Sequence, residues 1–155
     1  MDEQSYLERA RECERTLYRV SWSILYDDAD CADAVQQAVF KGWIKRRQLR
    51  DPEKFKAWLT RILINECRNL QRNGARQRRI EEAALQRTPD RARVENEALY
   101  EALSELPEHY RLPVVLHYLE GYSIREISGM LKVPERRVKD CMYRARQRLK
   151  EVLKL

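Results

Sequence analysis

At 155 residues, with 36% charged residues and four glycines, the chain can form one domain or two small ones, each near the lower limit for an independent core. A formal net charge of +6 favours polyanionic partners. No apolar run approaches the roughly 20 residues of a membrane span, and the polar start MDEQSYLERA is no signal peptide, so no membrane insertion and a cytoplasmic location are expected.

Tyr6, Leu7, Ala10, Cys13, Leu17, Val20, Ile24 and Leu25 recur at helical spacing and predict a first amphipathic helix ending near Tyr26. The acidic run Asp27-Asp28-Ala29-Asp30 closes it, and Asp30 is placed to cap the next helix. That second helix is expected to reach about Arg47, with Val35, Ala38, Val39, Gly42 and Trp43 inward. Its opposite face holds Asp33, Gln36, Gln37, Phe40 and Lys41. An outward Phe40 amid polar groups has the form of an interface centre with a polar rim.

Residues 48–52 form a loop that includes Leu49. A third helix then starts near Pro52 or Glu53, with proline in its first turn, and buries Phe55, Leu59, Ile62, Leu63 and Leu70. Along it Arg61, Asn65, Arg68 and Arg72 are spaced four, three and four, a single polar and basic stripe close to Trp58. The Asn65 amide offers a donor and an acceptor to a base edge, and such groups beside a hydrophobic loop suit unpaired bases. Taken alone, such a stripe is more often a solvated helix face, with the aromatics in the core. Three helices make up the first expected domain, residues 1–73.

Residues 74–93 hold few apolar side chains, many arginines and a Thr88-Pro89-Asp90 breaker. A charged linker is expected there, with room for helix around residues 80–85. The second domain, residues 94–155, opens with a helix carrying Leu99, Ala102, Leu103 and Leu106. Pro107 interrupts it, and residues 108–119 supply another helix in which Pro113 removes a backbone donor, so a kink or a late start is expected. Gly121 is a natural C-cap. Ser123 and Glu126 then form a capping box, and Ile124, Ile127 and Leu131 share one face of a short helix that Lys132-Val133-Pro134 ends.

A longer basic helix follows from about Glu135. Short helix, tight turn and basic second helix are the plan of a helix-turn-helix that lays its second helix in the DNA major groove. Val138, Met142, Ala145 and Leu149 point inward, opposite a stripe of Arg136, Asp140, Tyr143, Arg144 and Gln147 flanked by Arg137 and Lys139. Arginine can grip guanine O6 and N7, and an acid can accept from cytosine N4. Lysine and the outer arginines suit phosphates. No strand alternation occurs, so the fold class is all-α: two small helical domains, of three and four helices, joined by a charged linker.

Charge is segregated along the chain. Residues 1–40 are predominantly acidic, residues 68–79 contain arginines and no acid, and residues 136–150 are basic with Asp140 as the one acid. One protein-facing surface and two nucleic-acid-facing ones are the expectation. Cys13, Cys31, Cys67 and Cys141 lie far apart without a CxxC, which signals buried small hydrophobes rather than a metal or redox site. His109 and His117 are the only histidines, and no nucleophile motif or phosphate loop appears. No enzymatic activity and no cofactor are expected.

Together these residues resemble the extracytoplasmic-function (ECF) group of bacterial sigma factors. Residues 30–43, DCADAVQQAVFKGW, are similar to the family's region two motif, an acid-led helix with Val-Gln and a closing Phe and Trp. Residues 55–62, FKAWLTRI, followed by Asn65, resemble its promoter-melting segment. Leu106-Pro107-Glu108, Glu120-Gly121-Tyr122-Ser123 and Arg144-Ala145-Arg146 match its region four. The likeness covers roughly residues 10–72 and 95–153.

The resemblance implies an alternative sigma factor that binds core RNA polymerase and directs promoter-specific initiation. Asp33, Gln36, Gln37, Phe40 and Lys41 would meet the clamp helices of the largest polymerase subunit. Leu49, Trp58, Arg61, Asn65, Arg68 and Arg72 would serve minus-ten DNA, with the Leu49 loop and Asn65 capturing a flipped base. Arg136, Arg137, Lys139, Asp140, Tyr143 and Arg144 would address the minus-thirty-five element. The implied partners also include the flap of the second-largest subunit, promoter DNA in double- and single-stranded form, and an anti-sigma factor.

The chain departs from the family pattern where Gln37 replaces the usual acid. It departs again in the recognition helix, where Arg136-Arg137, Asp140 and Cys141 replace Gly-Thr, Ser and Arg. A free-standing helix-turn-helix regulator is the rival reading; it shares the last four helices but leaves the region-two motifs unexplained.

Overall fold

The computed structural model describes residues 1–73 and 97–153, and the expected linker at residues 74–93 lies outside them. The chain divides into two compact units, Met1–Thr88 and Pro89–Leu155. The described residues are helical, with no strand among them.

The first unit contains α1 (Glu3–Glu12), α2 (Glu14–Leu25), α3 (Asp28–Ile44) and α4 (Phe55–Arg72). The expected first helix is thus divided. At Cys13 (φ −91°, ψ −6°) the amide is shared between the carbonyls of Arg9 and Ala10, which tightens the last turn of α1 before α2 resumes. The break turns Tyr6 into the core and leaves Leu7, expected inward, 40% exposed. Asp2 caps α1 by accepting from the Ser5 amide at 2.7 Å, and that bond lowers the Asp2 pKa.

Tyr26 ends α2 in the left-handed region (φ 57°). The cap of α3 is Asp27 rather than Asp30, its side chain accepting from the Asp30 amide at 3.0 Å. Asp30 sits at the third helical position and is buried. The end of α3 also differs from expectation, because residues beyond Ile44 tighten into a 3-10 turn, Arg46–Gln48. A second 3-10 turn, Pro52–Lys54, is capped by Asp51 and leads into α4.

Helices α2, α3 and α4 pack on one another, and Leu17, Val20 and Leu25 of α2, Ala34 and Ala38 of α3 and Leu59 and Leu63 of α4 are all buried. Burying a leucine or valine of this kind stabilises by about 1.5–3 kcal/mol. Leu70, expected in this core, is only half-buried.

Tyr6 joins α1 to this core. Its hydroxyl donates to the Val39 carbonyl at 2.6 Å, and its ring lies 5.6 Å from Trp43 and 5.7 Å from Phe55. Burial pushes its pKa to about 12, with the neighbouring Cys13 thiol adding a smaller effect in the same direction. The space for this ring exists because residue 42 is glycine. A Cβ there would overlap the Tyr6 hydroxyl and approach Leu59 at 3.0 Å.

The second unit contains α5 (Glu97–Ser104), α6 (Glu108–Val114), α7 (Ile124–Leu131) and α8 (Glu135–Leu153). Pro113, inside α6, has no amide to donate, and after Val114 the helix widens into a π-turn, Val115–Leu119, where the Glu120 amide donates to the Val115 carbonyl at 3.1 Å. Gly121 (φ 77°) then reverses the chain, with its amide on His117 and that of Tyr122 on Leu116. His117 Nδ1 donates to the Tyr122 carbonyl at 2.8 Å and braces the same turn.

Both bonds of the Ser123–Glu126 capping box are present, at 3.0 and 3.1 Å. Lys132 terminates α7 in the left-handed region (φ 58°), and the Ser128 hydroxyl donates to the Val133 carbonyl across the turn into α8. Helices α7 and α8 pack together, with Ile127 of the one and Val138 of the other buried. The helix-turn-helix read from the sequence is therefore formed in full. All four cysteines are buried thiols.

Replacing a helical glycine by alanine ordinarily stabilises by about 0.5–1 kcal/mol. Gly42→Ala should instead lower the stability of the first unit by about 1–3 kcal/mol, because Tyr6 must move. The chain's three tryptophans, Trp22, Trp43 and Trp58, all lie in this unit, so urea unfolding followed by tryptophan fluorescence reads it selectively. An unchanged or higher midpoint would contradict the notch.

Candidate functional site

The outer face of α3 is built as its periodicity requires. Ala34, Val35 and Ala38 turn into the core, so Asp33, Gln36, Gln37 and Phe40 stand exposed, Phe40 with 59% of its surface in solvent. Ile44, one turn on, is 60% exposed. The sequence reading missed it, although its spacing of four from Phe40 carries the signal: the two form an apolar pair on one helix face. Beside this face Leu7, Val35, Gln36 and Val39 line an open hollow of about 240 Å³.

Lys41 differs from its neighbours. It is half-buried, and its Nζ lies 2.5 Å from Oε1 of Glu66 on α4. Glu66 is buried, so the ion pair compensates a carboxylate taken out of water. The expected solvent-facing cation is in part a strut between α3 and α4.

On α4 the polar stripe faces outward. Arg61, Arg68 and Arg72 are exposed and Asn65 is half-buried. Arg72 donates to the Asn69 side chain. Trp58 is half-buried, its ring centroid 5.9 Å from buried Phe55. Leu49 follows the first 3-10 turn in extended backbone and is also half-buried. Core packing thus holds one face of Trp58 while Arg61 and Asn65 remain accessible.

On α8 all six expected DNA-facing residues, Arg136, Arg137, Lys139, Asp140, Tyr143 and Arg144, are exposed, while Val138, Met142 and Ala145 are buried. Arg144 Nε donates to Asp140 Oδ2 at 3.2 Å, and this hydrogen bond raises the guanidinium pKa above its usual value. The last turns are tied to α6 and to the π-turn after it: Arg148 sits over the Tyr110 ring at 4.9 Å, and Arg146 donates to the Tyr118 hydroxyl at 3.0 Å. Arg146 has a place in the region-four match, but neither arginine's tyrosine partner was legible in the sequence.

Among the described residues no cluster of His, Cys, Asp and Glu could hold a metal ion, and no helix is long and apolar enough to cross a membrane. The chemistry the surfaces offer is recognition: an apolar patch with a polar rim, and two helix faces rich in arginine.

The family described as Sigma-70 region 2 matches residues 10–78, and the family described as Sigma-70, region 4 matches residues 96–149. The chain is similar to the ECF RNA polymerase sigma factor SigM of Mycobacterium tuberculosis, with 30% identity over 98% of this chain and 79% of the relative. It is similar also to the RNA polymerase sigma factor SigV of Bacillus subtilis, at 26% identity over 83% of this chain and 78% of the relative. Among solved structures, the sigma factor RpoE of Bartonella quintana, crystallised with the anti-sigma factor NepR, aligns with a TM-score of 0.79 at 23% identity, covering 98% of both chains.

The Lys41–Glu66 strut yields a prediction about stability. Lys41→Met should destabilise the first unit by roughly 1–2 kcal/mol, between the values for an exposed pair and for a charge-assisted bond. Adding Glu66→Gln should restore part of the loss, because the uncompensated carboxylate is then gone. Equal midpoints for Lys41→Met and the wild type in fluorescence-monitored unfolding would show the pair to be decorative.

Proposed function

The chain belongs to the ECF group of the sigma-70 family, and on that premise we propose how its three surfaces divide the work. The protein is an alternative sigma factor: it binds bacterial core RNA polymerase and directs promoter-specific initiation of transcription. The observation that carries this is the presence of both family regions, in order, on one chain. A free-standing helix-turn-helix regulator would need only the second. Sigma factors are generally non-catalytic, and a binding role without enzymatic activity or cofactor, exercised in the cytoplasm where core polymerase works, is the reading that suits these surfaces.

Region two is assigned to residues 1–73, a linker to residues 74–93 and region four to residues 94–155. In region two the exposed face of α3 (Asp33, Gln36, Gln37 and Phe40, with Ile44 extending it) docks on the clamp helices of the largest subunit. Phe40 is the anchor because it is the large aromatic at the centre of a polar rim. Lys41 contributes at the edge while held by Glu66.

On α4 the accessible Arg61, Arg68 and Arg72 hold minus-ten phosphates. Asn65 and Trp58, with Leu49, receive an unpaired base: the amide replaces lost pairing and the ring supplies a stacking surface. Region four sets α8 in the major groove, with Arg136, Arg137, Lys139, Asp140, Tyr143 and Arg144 toward the minus-thirty-five element, and meets the flap of the second-largest subunit. An anti-sigma factor that masks one of these surfaces is the expected regulator.

Truncating a central aromatic anchor costs about 2 kcal/mol or more of binding, some 30-fold in affinity. Phe40→Ala should therefore fold normally and lose at least that much affinity for core polymerase in a fluorescence titration. Wild-type affinity would remove α3 as the docking face.

Asn65→Ala should leave closed-complex formation intact while reducing promoter opening several-fold. Permanganate footprinting of the minus-ten thymines checks this, and equal reactivity with both proteins would remove Asn65 from base capture.

A further inference from the structure

The recognition helix carries one acid on its DNA-facing stripe, and it is not isolated. Arg144 Nε donates to Asp140 Oδ2 at 3.2 Å, one turn apart, with side chains 60% and 58% exposed respectively. An ion pair this open contributes little to folding stability. What it can do is orient. With Nε committed to the carboxylate, the two terminal amino groups of the guanidinium stay available as a planar fork of donors. That fork matches guanine O6 and N7.

A bare carboxylate on this stripe would repel phosphates. Paired with Arg144 it is neutralised, and the pair as a whole adds no net positive charge for non-specific binding.

We propose that Asp140 is a positioning residue that holds the Arg144 guanidinium for one guanine of the minus-thirty-five element, the two side chains specifying that base as a unit. The proposal rests on the sigma-factor reading and adds to it the origin of this chain's own promoter preference. Arg144 is the reading residue. Asp140 acts through it and supplies specificity rather than affinity.

The test is a double-mutant cycle on the reconstituted holoenzyme, with randomised minus-thirty-five sequences selected and counted and binding titrated against salt. Asp140→Ala should reduce discrimination for guanine about 5- to 10-fold at the same position that Arg144→Ala relaxes. It should bind random sequences at least as well as wild type, since a negative charge is lost. The double variant should discriminate no worse than Arg144→Ala alone, because the two act as one unit. Asp140→Glu, still able to pair one turn on, should keep most of the preference.

Additive losses, or an Asp140→Ala effect at a different base pair, would overturn the proposal and make Asp140 an independent reader. A wild-type holoenzyme that selects no minus-thirty-five sequence would defeat the sigma-factor reading itself, and this proposal with it.

Discussion

Tyr6 fills a notch that only a glycine leaves open, and the arrangement of the first unit depends on it. With no Cβ at Gly42, the phenol reaches across α3, donates to the Val39 carbonyl and sets its ring against Trp43 and Phe55. That contact fixes α1 on α3 and on the start of α4. The outward stripe of α3 and the polar stripe of α4 are then carried on one packed body, and Lys41–Glu66 ties the same two helices at their polar edge. The two exposed helix faces gain a fixed relation through packing rather than through direct contact with each other. A rigid scaffold of this kind limits the ordering cost paid on binding.

The second unit solves a similar problem with backbone devices. Pro113 lies inside α6, and a π-turn carries the helical path on from Val114 towards Gly121. The capping box sets where α7 begins, and left-handed Lys132 sets where it ends. Between them the entry of α8 is determined within a few residues, and entry angle decides which side chains of a recognition helix meet base edges. Tyr110 of α6 and Tyr118 of the π-turn then engage Arg148 and Arg146, so the later turns of α8 are braced from behind while Arg136, Arg137 and Lys139 of its earlier turns stay exposed.

Much of this was legible in the sequence because the signals are local. The Ser123–Glu126 box, the glycine at 121, the prolines at 52, 107 and 134 and the apolar spacing of α4 and α8 each depend on neighbours within one or two turns. What escaped was long-range or competed with an equal local option. Cys13 carries no helix-breaking chemistry, and the division of α1 from α2 follows from where Tyr6 must go. Asp27 and Asp30 are equally good caps on paper, and burial of Asp30 decides between them. Lys41–Glu66 joins residues 25 positions apart on different helices, which no periodicity reveals. Ile44 lies off the apolar stripe of α3, and that is the reason it extends the Phe40 face.

The central claim is that one chain gives core polymerase a promoter preference it does not otherwise have. Core polymerase should be incubated with a library of promoter-length DNA, with and without the purified protein, and the transcript starts sequenced. The account predicts new starts only when the protein is present, preceded by a shared minus-ten and minus-thirty-five pair at one spacing. Identical start sites in both reactions, or new starts with no common upstream sequence, would contradict it.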